Sequence, residues 1–301
     1  MSKKYSDSSD SYTDPESGIL RNKLGLKSEG DLERAEAAAS ALRAQELAIR
    51  PVNGKFDLKH LQQIHGRLFS DVYKWAGEIR TVDITKAETR FAHSGYIASE
   101  TQKLTSQLEK ESHLKGLPPE RFSERAAHYM GELNVVHPFR EGNGRSLRVF
   151  IGQIAKQAGY EIKWEGIERK DMTRASIEAY QSSSDRLASL IRGNLVDRDR
   201  EKALQLAGAT KAKEPEAGQA YTGKILSVTD RYVAQSVGNG EIVLHQKQAL
   251  SGLQKITDGK SVGIEYPAGR AGVVRELATP EKSNAREAGH EKKREAGERE
   301  R

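Results

Sequence analysis

Between residues 28 and 196 apolar side chains recur at every third or fourth position, the spacing of helices that each bury one face. Leu32, Ala35, Ala39, Leu42, Leu47 and Ile49 predict a first helix running towards Pro51, with Ser28 capping its start through Asp31. A second begins at Asp57, an N-cap residue, and carries Leu58, Leu61, Ile64, Leu68 and Phe69 on one face. Its His60 and His65 are spaced wrongly for a metal shared on one helix face, and read as surface or packing histidines. Residues 81–97 lack helical period and contain the turn-formers Ala92-His93-Ser94-Gly95, which predicts a hairpin. Helices resume after Ser99, which with Gln102 resembles a capping box, and continue through Leu104 and Leu108. Pro118 and Pro119 open another, with Phe122, Ala126, Tyr129, Met130, Leu133 and Val136 in step, and Pro138 stops it at His137. Leu147, Val149, Phe150, Ile151 and Ile154 mark the next, and residues 168–196 supply one or two more through Met172, Ile177, Tyr180, Leu187, Leu190 and Ile191. The sum is a mainly α domain with one hairpin.

The pattern then changes in kind. Residues 199–219 lose their apolar face and read as a helical tail entering a linker. Ile225 to Val228, Tyr232 to Val237 and Glu241 to Leu244 alternate as strands, with Gly238-Asn239-Gly240 as a turn. Gln248, Leu250, Leu253 and Ile256 suit a short helix, and Val262 to Tyr266 and Gly272 to Val274 two further strands. This is the element order of a small OB-like β-barrel over 220–278, although pattern alone leaves another small barrel or sandwich open. Residues 1–14 are expected to form a disordered tail, with Tyr5 and Tyr12 beside acids, and residues 279–301 a charged one.

Composition narrows the functional classes. The 301 residues suffice for two modest domains, and 31% charged against 6% aromatic residues fits exposed tails around them. The absence of cysteine removes disulfides and thiolate metal sites, in keeping with a cytosolic, reducing compartment. No signal-peptide core and no long apolar run is present, so no membrane insertion is expected. A net charge of +6, with basic residues dispersed among 43 acids, argues against nucleic acid as a partner.

The chemistry concentrates in residues 137–148. Gly142, Asn143 and Gly144 lie just ahead of a helix, where glycine lets backbone amides approach a ligand and the helix adds N–H groups and a positive dipole end. Such a place binds phosphates. Arg145 and Arg148 share roughly one helix face and bring two guanidinium forks to the same anion. Glu141 adds a hard oxygen ligand suited to Mg²⁺, and His137 is the side chain here able to take a proton near neutral pH. Together they describe a nucleotide triphosphate site with a general base.

This stretch resembles the signature of the Fic family, H-x-F-x-[DE]-G-N-G-R-x-x-R, with every specified position present. Chance would produce such a match roughly once in 10¹⁰ starting points. Leu20-Arg21-Asn22-Lys23-Leu24-Gly25-Leu26 is similar to the opening of many Fic domains, and Trp75 to Arg80 to the segment leading into the Fic flap. The resemblance implies a Fic domain over 15–198 and protein adenylylation, in which AMP passes from Mg²⁺-ATP to a Ser, Thr or Tyr hydroxyl with release of pyrophosphate. It makes His137 the base, Glu141 the Mg²⁺ ligand, and Gly142, Asn143 and Gly144 the holders of the α-phosphate. Arg145 and Arg148 then take the β- and γ-phosphates. The 81–97 hairpin becomes the flap that docks the target by strand addition, with Lys86, Glu88, Arg90 and His93 as candidates for target choice. Relatives that transfer the γ-phosphoryl carry lysine at the position of Gly144, so glycine favours nucleotidyl transfer. Another nucleotide or phosphoryl donor, or a non-catalytic nucleotide-sensing module, are the alternatives. No purine-binding element can be read; Tyr180 is a weak candidate. A rival P-loop ending in Gly259-Lys260-Ser261 fails, because Gln254 stands where glycine is required.

Many Fic proteins restrain themselves with a helix of pattern [ST]-x-x-x-E-[GN]. The Glu-Gly pairs here are preceded four residues earlier by Gly25, His137 and Glu161, so the chain lacks that brake. This resembles the class inhibited by a separate small antitoxin-like protein, which would set a Glu against Arg148. A Fic domain followed by an OB-like barrel also resembles the N-terminal part of the Bartonella effector proteins, delivered by type IV secretion to modify a eukaryotic target protein. The C-terminal helical delivery domain of those proteins is not visible, so a truncated chain or a short relative is expected.

Overall fold

The structure, a computed structural model, describes residues 10–86 and 89–277. The tail expected over 279–301 and Glu88 of the flap lie outside the described residues. The chain divides after Arg198 into two compact units.

The first unit runs α1 (Glu29–Ile49), α2 (Leu58–Phe69), β1 (Thr85–Lys86), β2 (Thr89–Arg90), α3 (Ile97–Lys110), α4 (Pro119–Val136), α5 (Asn143–Gln157), β3 (Tyr160–Ile162), α6 (Arg169–Gln181), α7 (Asp185–Gly193) and β4 (Leu195–Asp197). Ser28 caps α1 through the Asp31 N–H and Asp57 caps α2 through that of His60. α4 is central and packs against α3, α5, α6 and α7. Its Phe122, Ala126, Tyr129 and Leu133 join Leu61, Ile64 and Leu68 of α2 and Phe150, Ile151 and Ile154 of α5 in one apolar core. α1 departs from expectation. Leu42 and Ile49 are exposed, because the face that α1 turns inward carries Leu32, Glu36, Ser40 and Leu47. α3 also begins two residues before Ser99, whose hydroxyl donates to the Tyr96 carbonyl instead of forming a capping box.

The N-terminal stretch is likewise built rather than loose. Thr13 bridges Leu20, and Tyr12 is buried edge-on against Trp75 with ring centres 5.4 Å apart. The Tyr12 hydroxyl accepts from the Thr81 N–H, and the Asp10 carboxylate takes two hydrogen bonds from Arg140, at 2.5 and 3.1 Å. Residues 10–20 therefore strap the loop between α4 and α5, a link across 130 positions that no local pattern can announce.

The second unit opens within α8 (Arg198–Leu206) and continues with β5 (Ala220–Val228), β6 (Tyr232–Gly238), β7 (Glu241–Gln246), β8 (Leu250–Ser251), β9 (Ser261–Glu265) and β10 (Gly272–Glu276). The six strands form one sheet in the order β7-β6-β5-β9-β10-β8, antiparallel except for β8 on β10. β5 serves two partners, β9 from Ala220 to Lys224 and β6 from Lys224 to Val228, the latter with a register shift between Ile225 and Ser227. Among the described residues the ladder does not close, so the unit is a six-stranded mixed sheet and not the expected closed barrel. The expected helix over 248–256 is two 3₁₀ turns around β8, broken where Gly252 takes φ +81°. Residues 199–219 are not a plain linker. α8 buries Ala203 with Tyr232, Ala234 and Leu244, and Lys213 bridges Val243 at the edge of β7. A buried polar chain crosses the sheet: the Tyr266 hydroxyl and His245 Nδ1 lie 2.8 Å apart, and His245 Nε2 donates to Gln235 Oε1.

The Asp10–Arg140 pair yields a test of the strap. Both side chains are under a tenth exposed, and breaking such a pair by removing one partner costs roughly 3 kcal/mol. Asp10→Ala should lower the urea unfolding free energy at pH 7 by about that amount, and a loss below about 0.5 kcal/mol would show that the strap is incidental. Burial pushes the Asp10 pKa up, but the hydrogen bonds from Arg140 and Thr13 and the Arg140 charge bring it below the usual carboxylate range. The strap's contribution should thus hold above the unfolded value and fade as pH falls through the lowered one.

Candidate active site

His137 closes α4 as its C-cap, in the left-handed backbone region at φ 50°, ψ 63°. Its N–H still reaches the Leu133 carbonyl, while Pro138 prevents the helix from continuing. The imidazole is buried and stacks on Phe91, with ring centres 3.7 Å apart and planes 20° from parallel. Its Nδ1 lies 3.0 Å from the Asn134 carbonyl, which can only accept, so Nδ1 carries the proton of the neutral ring and Nε2 holds the lone pair. Burial pushes the His137 pKa down to about 3; Arg80 and Lys86 act in the same direction and Glu141 against it.

The loop beyond His137 is braced from within. Asn143 Nδ2 donates to the Phe139 carbonyl and its Oδ1 accepts from the Phe139 N–H, closing the five-residue turn with one side chain. Phe139 is fully buried and stacks on His65 at 3.9 Å between ring centres. Gly142 is the N-cap of α5 at φ +83°, and a β-carbon there would lie 2.3 Å from the Phe69 ring, so no other residue fits. Gly144 follows in the first turn of α5, exposed, with space around its α-carbon out to Arg148. Glu141 is buried and accepts the Gly142 N–H on one carboxylate oxygen.

The two arginines differ. Arg145 turns back to α1, where it donates to Ser40 Oγ and pairs with buried Glu36; it also lies over the Phe69 ring and 3.7 Å from Glu141. Glu36 in turn accepts from the Tyr73 hydroxyl. Arg148 is half-buried, and among the described residues none accepts a hydrogen bond from it or pairs with its charge. Burial and the neighbouring Arg145 charge both push its pKa down, the signature of a cation waiting for an anion. Both arginines border a cavity of about 830 Å³ between α1, α5 and β3, lined further by Ala37, Ala41, Ala44 and Trp164.

On the hairpin side, Lys86 and Arg90 are exposed on the two short strands. His93 pairs with Asp83 at 3.3 Å and accepts from the Gly95 N–H, which fixes the base of the hairpin. Tyr180, the weak purine candidate, donates its hydroxyl to the Arg90 carbonyl and so holds the hairpin to α6. His60 and His65 are buried and do more than pack. His65 accepts the Gly77 N–H on Nδ1 and donates from Nε2 to the Glu141 carbonyl, so it holds the active loop to the Trp75–Gly77 turn. Sequence reasoning assigned no such role to His65, nor any to Glu36 and Tyr73. The available signal was a polar residue inside an apolar stripe, as His65 stands beside Ile64 and Glu36 four after Leu32.

Fold and site together define a helical domain that sets a neutral, buried histidine beside a glycine-flanked helix start with two arginines and beside a short hairpin. The model of the Fic/DOC family matches residues 55–155, and that of the KfrB domain residues 220–275. "Protein adenylyltransferase VbhT" of Bartonella schoenbuchensis is 53% identical over 195 residues, 65% of this chain and 41% of that protein. "Probable protein adenylyltransferase Fic" of Escherichia coli is 42% identical over 177 residues, 58% of this chain and 87% of that protein. Among solved structures, that of the BepC protein, a VirB-translocated effector of Bartonella tribocorum with bound AMPPNP, superposes with a TM-score of 0.58 at 29% identity, over 62% of this chain and 96% of that one. The chain belongs to the Fic/DOC family.

The buried histidines make stability depend on pH in a definite direction. Burial lowers the pKa of His60, pushes that of His65 down to about 4 and does the same to His245. A group whose folded pKa lies below its unfolded value contributes fully above the unfolded value and loses that contribution as pH falls towards the folded one. Tm should therefore fall steadily from pH 7 to pH 5, and His65→Gln, which can keep both hydrogen bonds without titrating, should flatten part of that slope. A Tm that does not change over this range would show that these rings are not held neutral.

Proposed function

We propose that the chain is a protein adenylyltransferase that passes AMP from ATP to a hydroxyl of another protein. The observation that supports this most directly is the placing of an Nδ1-protonated His137 and a half-buried Arg148, which pairs with no acid among the described residues, on the same loop and helix. His137 Nε2 takes the proton of the acceptor hydroxyl while that oxygen attacks the α-phosphorus. The bond to the bridging oxygen of the β-phosphate breaks, and pyrophosphate leaves with its negative charge against Arg148. The first-turn N–H groups of α5 face the phosphates, and the bare α-carbon of Gly144 leaves them room. Arg145 adds charge from its seat on Glu36 and Ser40. The BepC relative holds an adenosine nucleotide, which supports adenine as the base.

Mg²⁺ fits this donor set. Among the described residues no cluster of three His, Asp or Glu side chains could hold a metal alone, but Mg²⁺ commonly uses one carboxylate together with substrate phosphates and water. Glu141 would supply that carboxylate, and the ion would neutralise phosphate charge.

The exposed edge of the hairpin, with Lys86 and Arg90, is the docking place for an extended acceptor segment, while His93 serves the base of the hairpin. The likeness to effectors described as VirB-translocated supports delivery to a host cell and a host target. The cavity beside Arg148, with its alanine lining on α1, has room for an apolar helix from an inhibitory partner whose Glu would pair with Arg148. Arg148→Ala should abolish inhibition by such a partner; unchanged binding and equal inhibition in that variant would overturn this reading.

Incubation with lysate and ATP labelled at either the α- or the γ-phosphate decides the reaction. Label from the α-position on a protein is expected, and label from the γ-position alone would mean phosphoryl transfer. His137→Ala should cut labelling by about 10²- to 10⁴-fold while ATP still binds, because the base acts only in the transition state. No label with ATP, CTP, GTP, UTP or a choline nucleotide would remove the transferase reading for that lysate.

A further inference from the structure

We propose that Arg80 is a positioning residue for this reaction, one that fastens both stems of the hairpin to the backbone of His137 so that docking edge and base keep one geometry. The inference rests on the adenylyl-transfer reading above.

Arg80 is 1% exposed, among the most buried large side chains of the chain. Its Nε donates to the His137 carbonyl at 2.8 Å, one terminal nitrogen to the Val82 carbonyl at 2.6 Å, and the other to the carbonyls of Ala92 and Val136. Its own N–H donates to the Pro138 carbonyl. A buried cation needs partners that spread its charge; the part-exposed Asp83 carboxylate lies 3.9 Å from one terminal nitrogen. Backbone carbonyls from three separate places receive its hydrogen bonds. Val82 belongs to the incoming stem, Ala92 to the outgoing stem, and Val136 and His137 to the end of α4, where carbonyls run out of helical partners.

Two features explain why such a clamp matters. Among the described residues β1 and β2 pair over two residues each, a ladder too short by itself to hold the hairpin in place. His137 occupies the left-handed region, which is strained for a non-glycine residue and persists only where surroundings over-determine it. Arg80 addresses both at once. Phe91, adjacent to clamped Ala92, then lays its ring on the His137 imidazole. The planar fork of arginine reaches carbonyls in several directions, whereas a lysine ammonium acts as a point donor.

The test uses the full chain with Arg80→Met and Arg80→Lys, and reads the His137 tautomer by ¹⁵N NMR, ATP affinity, Tm, and kcat and KM for target labelling. Wild type should show one Nδ1-protonated tautomer. Arg80→Met should show mixed tautomers and a kcat lower by about 10²-fold, with ATP affinity within about twofold, because misplacement of roughly 1 Å has that effect. Arg80→Lys should lie between the two. A wild-type tautomer and kcat in Arg80→Met would overturn the proposal, as would losses of ATP affinity and Tm that account for the whole loss of kcat. Should Arg80→Met fail to fold, Arg80→Lys decides by the same readouts, and full wild-type behaviour there overturns it. If the wild-type chain labels no protein, the transfer reading fails, while the tautomer comparison still judges whether Arg80 orders the base.

Discussion

His137 sits at the end of α4 in a backbone conformation that a histidine adopts only under constraint, and most of the first unit can be understood as the source of that constraint. Pro138 blocks helical continuation, Phe139 anchors the loop in the core, and Asn143 closes the turn through two hydrogen bonds to Phe139. His65 holds Glu141 from α2, and Asp10 holds Arg140 from the N-terminal strap. Each element that reaches the loop comes from a different part of the chain. The loop is therefore a product of the whole domain, and an isolated helix-turn-helix from 119 to 157 would lack its supports.

Charge is arranged with the same economy. Two arginines one turn apart on α5 repel each other, and the fold resolves this by giving Arg145 the buried carboxylate of Glu36 and leaving Arg148 without an acidic partner among the described residues. Glu36 is itself oriented by Tyr73, whose pKa burial and the Glu36 charge both push up, so the phenol stays a donor. An anion at the helix start then meets one pre-neutralised cation and one open cation. On the proposed reaction, Arg148 rather than Arg145 would be the side chain placed to meet a charged leaving group.

Much of this was legible in the sequence because it is local. The capping residues Ser28 and Asp57, the prolines that open and stop α4, and the glycine turn before α5 act on their immediate neighbours, and the signature residues are contiguous. What was not legible spans long separations. The Asp10–Arg140 pair joins positions 130 apart, Tyr180 meets Arg90 across 90, and the Arg80 side chain reaches as far as 57 positions away. The barrel expectation failed for a related reason. Element order in the second unit was nearly right, but closure depends on which strand edges meet, and alternation along a strand says nothing about its neighbours. α1 misled because its alanines and one buried glutamate weaken the contrast between faces.

Burial also sets how strong a base His137 can be. A ring pushed down to about 3 is neutral at any physiological pH, which keeps Nε2 available, yet it binds a proton poorly. Negative charge nearby strengthens such a base and positive charge weakens it. In the protein alone Glu141 stands on one side of this balance, with Arg80 and Lys86 on the other. On the adenylyl-transfer reading proposed above, an acceptor segment or phosphate near Lys86 would offset one opposing charge, and the polyphosphate would add to the side of Glu141. The base would then gain strength once nucleotide and acceptor are both seated. Proton abstraction would on that reading be conditional on the complete assembly, because the histidine lies in a dry pocket beside a basic hairpin.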